Sequence, residues 1–292
     1  SKENTISGLY KYIFKSNGKK IRAKLCLTTS SRTKNKEKIK LASVIELLHT
    51  ATLIHDDVVD ESPTRRGIRS VNNVWTNAHG VLIGDYIYSK AFIYLVDIGN
   101  KKILKELAST TNDIAQGELV QLDAINNVNI TLNKLKKISY FKTGRLLEAA
   151  AKTGAIIANE NKAFNYNVSE CAKNLGILFQ IIDDLLDYSD SKKIGKPVFQ
   201  DIKEGKVTYP FFYAYKNANT REKKRLKDLL GVSRDLKCKD LELIKSLEGI
   251  KKTKQLAEKY HIKAIEYAKK IKNLDIRKEM IELADTALNR DK

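Results

Sequence analysis

Proline, cysteine and glycine are scarce in this 292-residue chain, at 3, 3 and 14 positions. The prolines, Pro63, Pro197 and Pro210, each fall where a loop or a helix start fits, so nothing interrupts long helices. Cys26, Cys171 and Cys238 are widely spaced and form no CxxC pair, which excludes a disulfide framework and a zinc site and predicts a reduced interior. No apolar run long enough to span a bilayer is free of charge; Val81 to Gly99 comes nearest but contains Asp85, Lys90 and Asp97. No secretory signal is visible, and a cytoplasmic location is the expectation. The first residue is Ser1 rather than Met, so a few native residues are expected to precede it. Alternating strand patterns with hairpin turns are also missing.

Acidic residues are in the minority, 35 against 54 Lys and Arg, for a net charge of +19. The excess is spread along the chain among many Asn residues, and no RNA-binding signature, zinc-finger spacing or basic heptad region accompanies it. It reads as a solvated lysine-rich surface, and a nucleic-acid partner is not expected.

What is present is helix after helix. Apolar residues recur at three and four in Leu41, Val44, Ile45, Leu48, and again in Leu256, Tyr260, Ala264, Ala268, Ile271. The spacing predicts helices near 4–15, 20–31, 36–60, 70–97, 99–122, 131–157, 162–188, 208–217, 220–230, 238–247, 250–272 and 275–290. No stretch looks like a domain linker, so one all-α domain over 1–292 is the expectation. The loop from Ser189 to Thr208 is longer than a connector needs to be, and loops of that length tend to carry function.

The segment LLHTATLIHDDVVDESPTRRG, Leu47 to Gly67, places Asp56, Asp57 and Asp60 at the end of an apolar helix. Asp60 falls one turn beyond Asp56, with His49 and Thr52 on nearly the same line. Half-buried carboxylates this close stay ionised only with cations between them, and an all-oxygen cluster suits magnesium. Arg65 and Arg66 follow as phosphate clamps rather than metal ligands. One such triplet is a weak signal. Asp183, Asp184 and Asp187, in LGILFQIIDDLLDYS, repeat the spacing at the end of a second apolar helix, and facing the first they would make one acidic mouth over an apolar cavity. Lys19 and Arg22, three apart in GKKIR, can reach one anion near a helix start. Lys142, Thr143 and Gly144 lie inside an apolar helix, where a glycine is costly and points to close backbone approach. Lys196, Asp201 and Lys206 belong to the long loop, which could close over a diphosphate.

Taken together, GKKIR, HTATLIHDDVVDESPTRRG, GDYIYSKAF, GELVQL, KTG, FQIIDDLLDYS, GKPVFQDIKEGKVTYP and the closing RDK resemble the all-trans polyprenyl diphosphate synthases, the farnesyl to octaprenyl synthase family. The motifs stand in the family's order over nearly the whole chain. The resemblance implies a single all-α bundle with a deep central cavity, usually a homodimer, acting on isopentenyl diphosphate and an allylic diphosphate with about three Mg2+ per site. It implies that Asp56 and Asp60 hold magnesium with Asp57 in support, and that Asp183 ligates a further ion while Asp184 and Asp187 act nearby. Arg65 would contact the allylic diphosphate and Arg66 isopentenyl diphosphate, the latter with Lys19, Arg22 and His49. Lys142, Lys196 and Lys206 would pull on the leaving diphosphate, while Thr143 and Gln180 line the reaction centre. Any membrane association would be weak and pass through the lipid product.

Ala51 and Thr52 lie about 6 to 8 Å down the helix from Asp56 at 1.5 Å per residue. Short-chain relatives carry a bulky aromatic near there, so these small residues imply a product of six to eight isoprene units for a quinone side chain. Ordinary helix packing accounts for Ala51 nearly as well. A short-chain synthase is the alternative, a catalytic subunit of a two-component synthase comes next, and a class I terpene cyclase is disfavoured by the second triplet. The chain departs from the family at Ala23, often proline, at Phe199 and Gln200, commonly a glycine-containing pair, and at Tyr209, usually leucine.

Overall fold

The computed structural model describes residues 2–15, 18–65, 67–188, 199–232 and 238–290. The all-α expectation is met. The first helices are α1 (Lys2–Ile13), α2 (Ile21–Thr29), α3 (Glu37–Val59), α4 (Val71–Val74), α5 (Asn77–Ile98), α6 (Lys101–Leu122), α7 (Leu132–Ser139) and α8 (Arg145–Ile157). There follow α9 (Lys162–Leu186), α10 (Gln200–Lys203), α11 (Tyr209–Asn217), α12 (Thr220–Lys227), α13 (Cys238–Ser246), α14 (Gly249–Lys269) and α15 (Leu274–Leu288). Starts are set by local chemistry. Thr76, Thr131, Asn161 and Asn273 each accept the backbone N–H three residues on, and Asn219 closes a capping box with Glu222. Each such cap contributes about 1 kcal/mol.

Three departures from the expected pattern have physical causes. A two-residue hairpin, β1 (Thr64–Arg65) with β2 (Ile68–Arg69), pairs Thr64 with Arg69 and turns through Gly67 at φ 79°. The helix expected over 70–97 is two, because Trp75 leaves helical geometry to pack edge-on against Tyr12 at 5.2 Å, and Thr76 caps the new start. The helix expected over 131–157 is broken by a π-turn, Tyr140–Gly144, between α7 and α8.

The chain forms two compact units, Ser1–Ala108 with Ala150–Glu160, and Ser109–Ala149 with Asn161–Lys292. In the first, α3 lies against α5 at van der Waals distance because two glycines make room. A Cβ on Gly84 would sit 2.2 Å from His55 Nε2, and one on Gly80 2.6 Å from Val58 Cγ2. Leu9, Ala51, Ile54, Val71, Ile83 and Ile87 form the core beside them. In the second unit α9 is the central helix, packed on the π-turn, α14 and α15. Cys26 and Cys171 are buried free thiols, pushed up to about 12 by burial.

The glycine expected to mark close approach does so. Gly144 meets Gly176 of α9, where an added Cβ would fall 2.4 Å from the Gly144 Cα, a backbone atom that cannot rotate away. Gly176→Ala should therefore separate α9 from the π-turn and cost about 1 to 3 kcal/mol of stability. Urea unfolding measures it; an unchanged midpoint would mean that the contact carries no packing constraint.

Candidate functional site

In the first unit the last turn of α3 carries the Asp56, Asp57, Asp60 triplet. Asp60 donates its backbone N–H to Asp56 O at 2.8 Å, which fixes the two one turn apart. Asp57 points inward and is only 4% exposed. Arg65 from β1 reaches back to it with Nε at 2.8 Å and Nη2 at 2.5 Å, both on Oδ1. Burial pushes the Asp57 carboxyl above its ordinary value, against the pull of Arg65. Breaking such a half-buried pair costs more than the pair contributes, so Asp57 anchors the hairpin to the helix. Tyr88 lies close enough to feel Asp56, and burial first, then that charge, pushes its hydroxyl up to about 12.

One helical face further back, Arg22 Nη1 lies 3.0 Å from His49 Nε2, so two of the residues expected to grip one anion do meet. Lys19 is exposed at the entrance to α2. Ala23, the departure from proline, donates its N–H to Glu46 Oε1 at 3.0 Å, a bond that a proline would lack. Thr52 is half-buried and donates to His49 O at 2.8 Å. Ala51 is fully buried within the core of this unit.

The second unit holds the other triplet at the end of α9. Asp183 is its outward member, its side chain 55% exposed, with Arg290 Nη1 at 3.3 Å. Asp184 is buried and accepts from Gln180 Nε2 at 2.9 Å and from the Tyr209 N–H at 3.2 Å. Asp187 accepts the N–H groups of Gln200 at 2.9 Å and Asp201 at 3.2 Å, tying α9 to the start of α10. Gln180 in turn takes a hydrogen bond from Thr143 Oγ1 at 2.7 Å. Lys142, beside it in the π-turn, donates to Glu118 Oε2 at 3.0 Å and Gln121 Oε1 at 3.2 Å, both in the GELVQL stretch of α6. Lys206 pairs with Glu204 at 2.6 Å. Arg66 and Lys196 lie outside the described residues.

Burial dominates the electrostatics here, with carboxylate crowding added to it. Burial, then neighbouring carboxylates, pushes Asp184 up to about 7 and Asp187 to about 6, despite the N–H donors that pull both down. Asp201, named in the sequence only as a loop residue, is half-buried beside them, and desolvation and then their charges push its carboxyl well up. The donors offered by both triplets are carboxylate oxygens, the ligand type of a hard divalent cation. Among the described residues no three His, Cys, Asp or Glu side chains converge on one point. Magnesium commonly takes one or two protein carboxylates and fills its remaining positions with water and phosphate oxygens.

Several supporting residues carried no signal strong enough to be singled out from sequence: Glu118 and Gln121 on Lys142, Arg290 on Asp183, and Ser139 on Tyr209. The Tyr209 hydroxyl, where the related chains usually have leucine, is buried and lies 2.9 Å from Ser139 Oγ. That bond fixes the residue whose N–H holds Asp184. Tyr209→Phe should cost about 1 kcal/mol, and adding Ser139→Ala should cost little more, since the partner is already gone. Fully additive losses in urea unfolding would show that the two hydroxyls act separately.

The polyprenyl synthetase family model matches residues 3–247. The octaprenyl diphosphate synthase of Escherichia coli (strain K12) is 40% identical over 212 residues, a match covering 72% of this chain and 66% of that relative's length. Among solved structures, a decaprenyl diphosphate synthase from Rhodobacter capsulatus superposes with a TM-score of 0.92 at 32% identity, covering 99% of this chain and 90% of the other. A polyprenyl synthase from Caulobacter crescentus CB15, complexed with calcium and isoprenyl diphosphate, gives 0.91 at 32% identity over 98% and 89%. With the motif order, the helical fold and the two aspartate triplets in place, the chain belongs to the polyprenyl synthetase family, a family of prenyltransferases.

Proposed function

We propose that this chain is a trans-polyprenyl diphosphate synthase that condenses isopentenyl diphosphate onto an allylic diphosphate. The observation that carries the reading is the pair of matched DDxxD triplets, each closing an apolar helix and each flanked by cationic side chains. The Caulobacter relative, whose structure contains calcium and isoprenyl diphosphate, supports a divalent cation and a substrate of this class.

Asp56, Asp60 and Asp183 are the residues that would hold magnesium, three ions per site, with Asp57, Asp184 and Asp187 in support. Bound magnesium neutralises the diphosphate and so eases departure of the leaving group. Arg65, with Nε and Nη2 on Asp57, has its remaining donors for the allylic diphosphate. Lys142, Lys196 and Lys206 stabilise negative charge growing on the leaving diphosphate, and Lys142 is aimed by Glu118 and Gln121. Lys19, Arg22, His49 and Arg66 hold isopentenyl diphosphate. The allylic carbon–oxygen bond breaks with its electron pair going to diphosphate, and the isopentenyl π bond attacks the allylic carbon. A proton then passes to the released diphosphate, so no side-chain base is needed. Thr143 and Gln180 line the reaction centre, and apolar walls keep water from the cation.

Small residues at 51 and 52 support a product of six to eight isoprene units, suited to a quinone side chain. A homodimer is supported by the apolar face that α5 leaves exposed, with Leu82 at 68%, Ile93 at 53% and Val96 at 66%. Among the described residues no helix is long and apolar enough to cross a membrane, and a cytoplasmic site of action is part of the proposal. The family match runs through both compact units, which supports one functional domain.

Chromatography of products formed from labelled isopentenyl diphosphate with farnesyl and geranylgeranyl starters tests the reading. Asp56→Ala should lower condensation by about a thousandfold or more with helicity intact, and retained turnover at saturating magnesium would remove its metal role. Ala51→Phe should shorten the product ladder while costing about 1 to 3 kcal/mol, since the site is already full. An unchanged ladder would take Ala51 out of the length-setting wall.

A further inference from the structure

The outward face of α14 does not follow from prenyl transfer. This helix carries six lysines against two glutamates, Glu258 and Glu266. At 100° per residue, Lys259, Ile262, Lys263, Glu266, Tyr267 and Lys270 fall within an arc of about 140°, opposite the buried Ala264 and Ala268. Ile262 is 56% exposed on that arc, and Leu274, at the start of α15, is 70% exposed. Tyr267 packs edge-on against Tyr166 of α9, itself 58% exposed, with ring centroids 6.0 Å apart. Lys270 Nζ sits 4.6 Å from the Tyr267 ring centroid.

A second helix adds to the same charge. Lys136 of α7 is half-buried, and its ammonium is pushed below its ordinary value by burial first and then by Lys259 and Lys263. Lys137 lies over the Phe141 ring at 5.1 Å, and Lys263 over that of Tyr260 at 5.5 Å. Lys136 thus keeps its charge at a cost beside two further lysines, with one carboxylate, Glu266, in the arc. An exposed face that combines clustered lysine with Ile262 at one edge and Tyr267 at the other, and exposed Leu274 five residues beyond the helix, has the mix a membrane interface asks for: ammonium groups for anionic headgroups and apolar side chains for the acyl boundary. A polyanion such as nucleic acid complements the lysines but leaves the exposed aliphatic side chains without a partner.

We propose that α14, with Lys136 beside it, docks the protein on an anionic lipid surface. The lysines meet headgroup phosphates while Ile262, Leu274 and the Tyr166–Tyr267 pair reach the acyl boundary. The inference stands whether or not the prenyltransferase reading holds, because it uses none of the residues in that reading. Docking of this kind is reversible and salt-sensitive, since a few lysines and two aliphatic side chains make a weak anchor.

Co-sedimentation of the full chain with vesicles tests it. Binding is expected to vesicles of phosphatidylglycerol mixed with phosphatidylcholine, not to phosphatidylcholine alone, and should fall as salt rises above about 100 mM. The triple variant K259E/K263E/K270E should lose at least about tenfold in vesicle affinity. Ile262→Ser with Leu274→Ser, both at exposed positions, should weaken binding several-fold while keeping the wild-type urea midpoint. The proposal is overturned if the wild type fails to pellet with the anionic vesicles at low salt. It is also overturned if neither variant differs from wild type, or if the charge reversal removes binding to a DNA duplex while vesicle binding is unchanged.

Discussion

Everything near the two triplets follows from the difficulty of keeping carboxylates close together and out of water. Each buried charge costs several kcal/mol unless something opposite in sign or rich in donors compensates it. The protein meets that demand differently in its two units. In the first, one guanidinium takes Asp57 through two hydrogen bonds and leaves Asp56 and Asp60 at the helix end. In the second, compensation comes from neutral donors: the Gln180 amide, the Tyr209 N–H and the N–H groups of Gln200 and Asp201. Burial outweighs these neutral donors, so Asp184 and Asp187 are pushed up to about 7 and 6. A divalent cation placed among such carboxyls would favour their charged form again.

Much of this was legible in the residues alone. The triplets were readable because the same spacing occurs twice after two apolar helices, and Gly144 because glycine inside a helix asks for an explanation that Gly176 supplies. The family resemblance, rather than the spacing, put Arg22 and His49 on one anion, and the two side chains meet. What did not show was set by tertiary contacts. The break at Trp75 depends on the Tyr12 ring, and the π-turn depends on α9 passing against Gly144. The hairpin is too short for any alternation to register. Glu118 and Gln121 stand in the GELVQL motif without a role that sequence assigns, and Ser139 looks like an ordinary helix residue until Tyr209 is in place.

Departures from family pattern turn out to be informative in the same way. Ala23 brings an N–H that Glu46 uses, and Tyr209 brings a hydroxyl that Ser139 uses. At these two positions the hydrogen bond is one that the expected proline or leucine could not make. Each bond is long-range, its partner lying 23 or 70 residues away.

The π-turn has an effect on how the faces of α8 are read. Five residues of wider winding between Ser139 and Arg145 shift the phase of everything after them by roughly the angle of one residue, about 100°. A helical wheel drawn straight through 131–157 therefore turns the apparent faces of α8 by a little over a quarter turn.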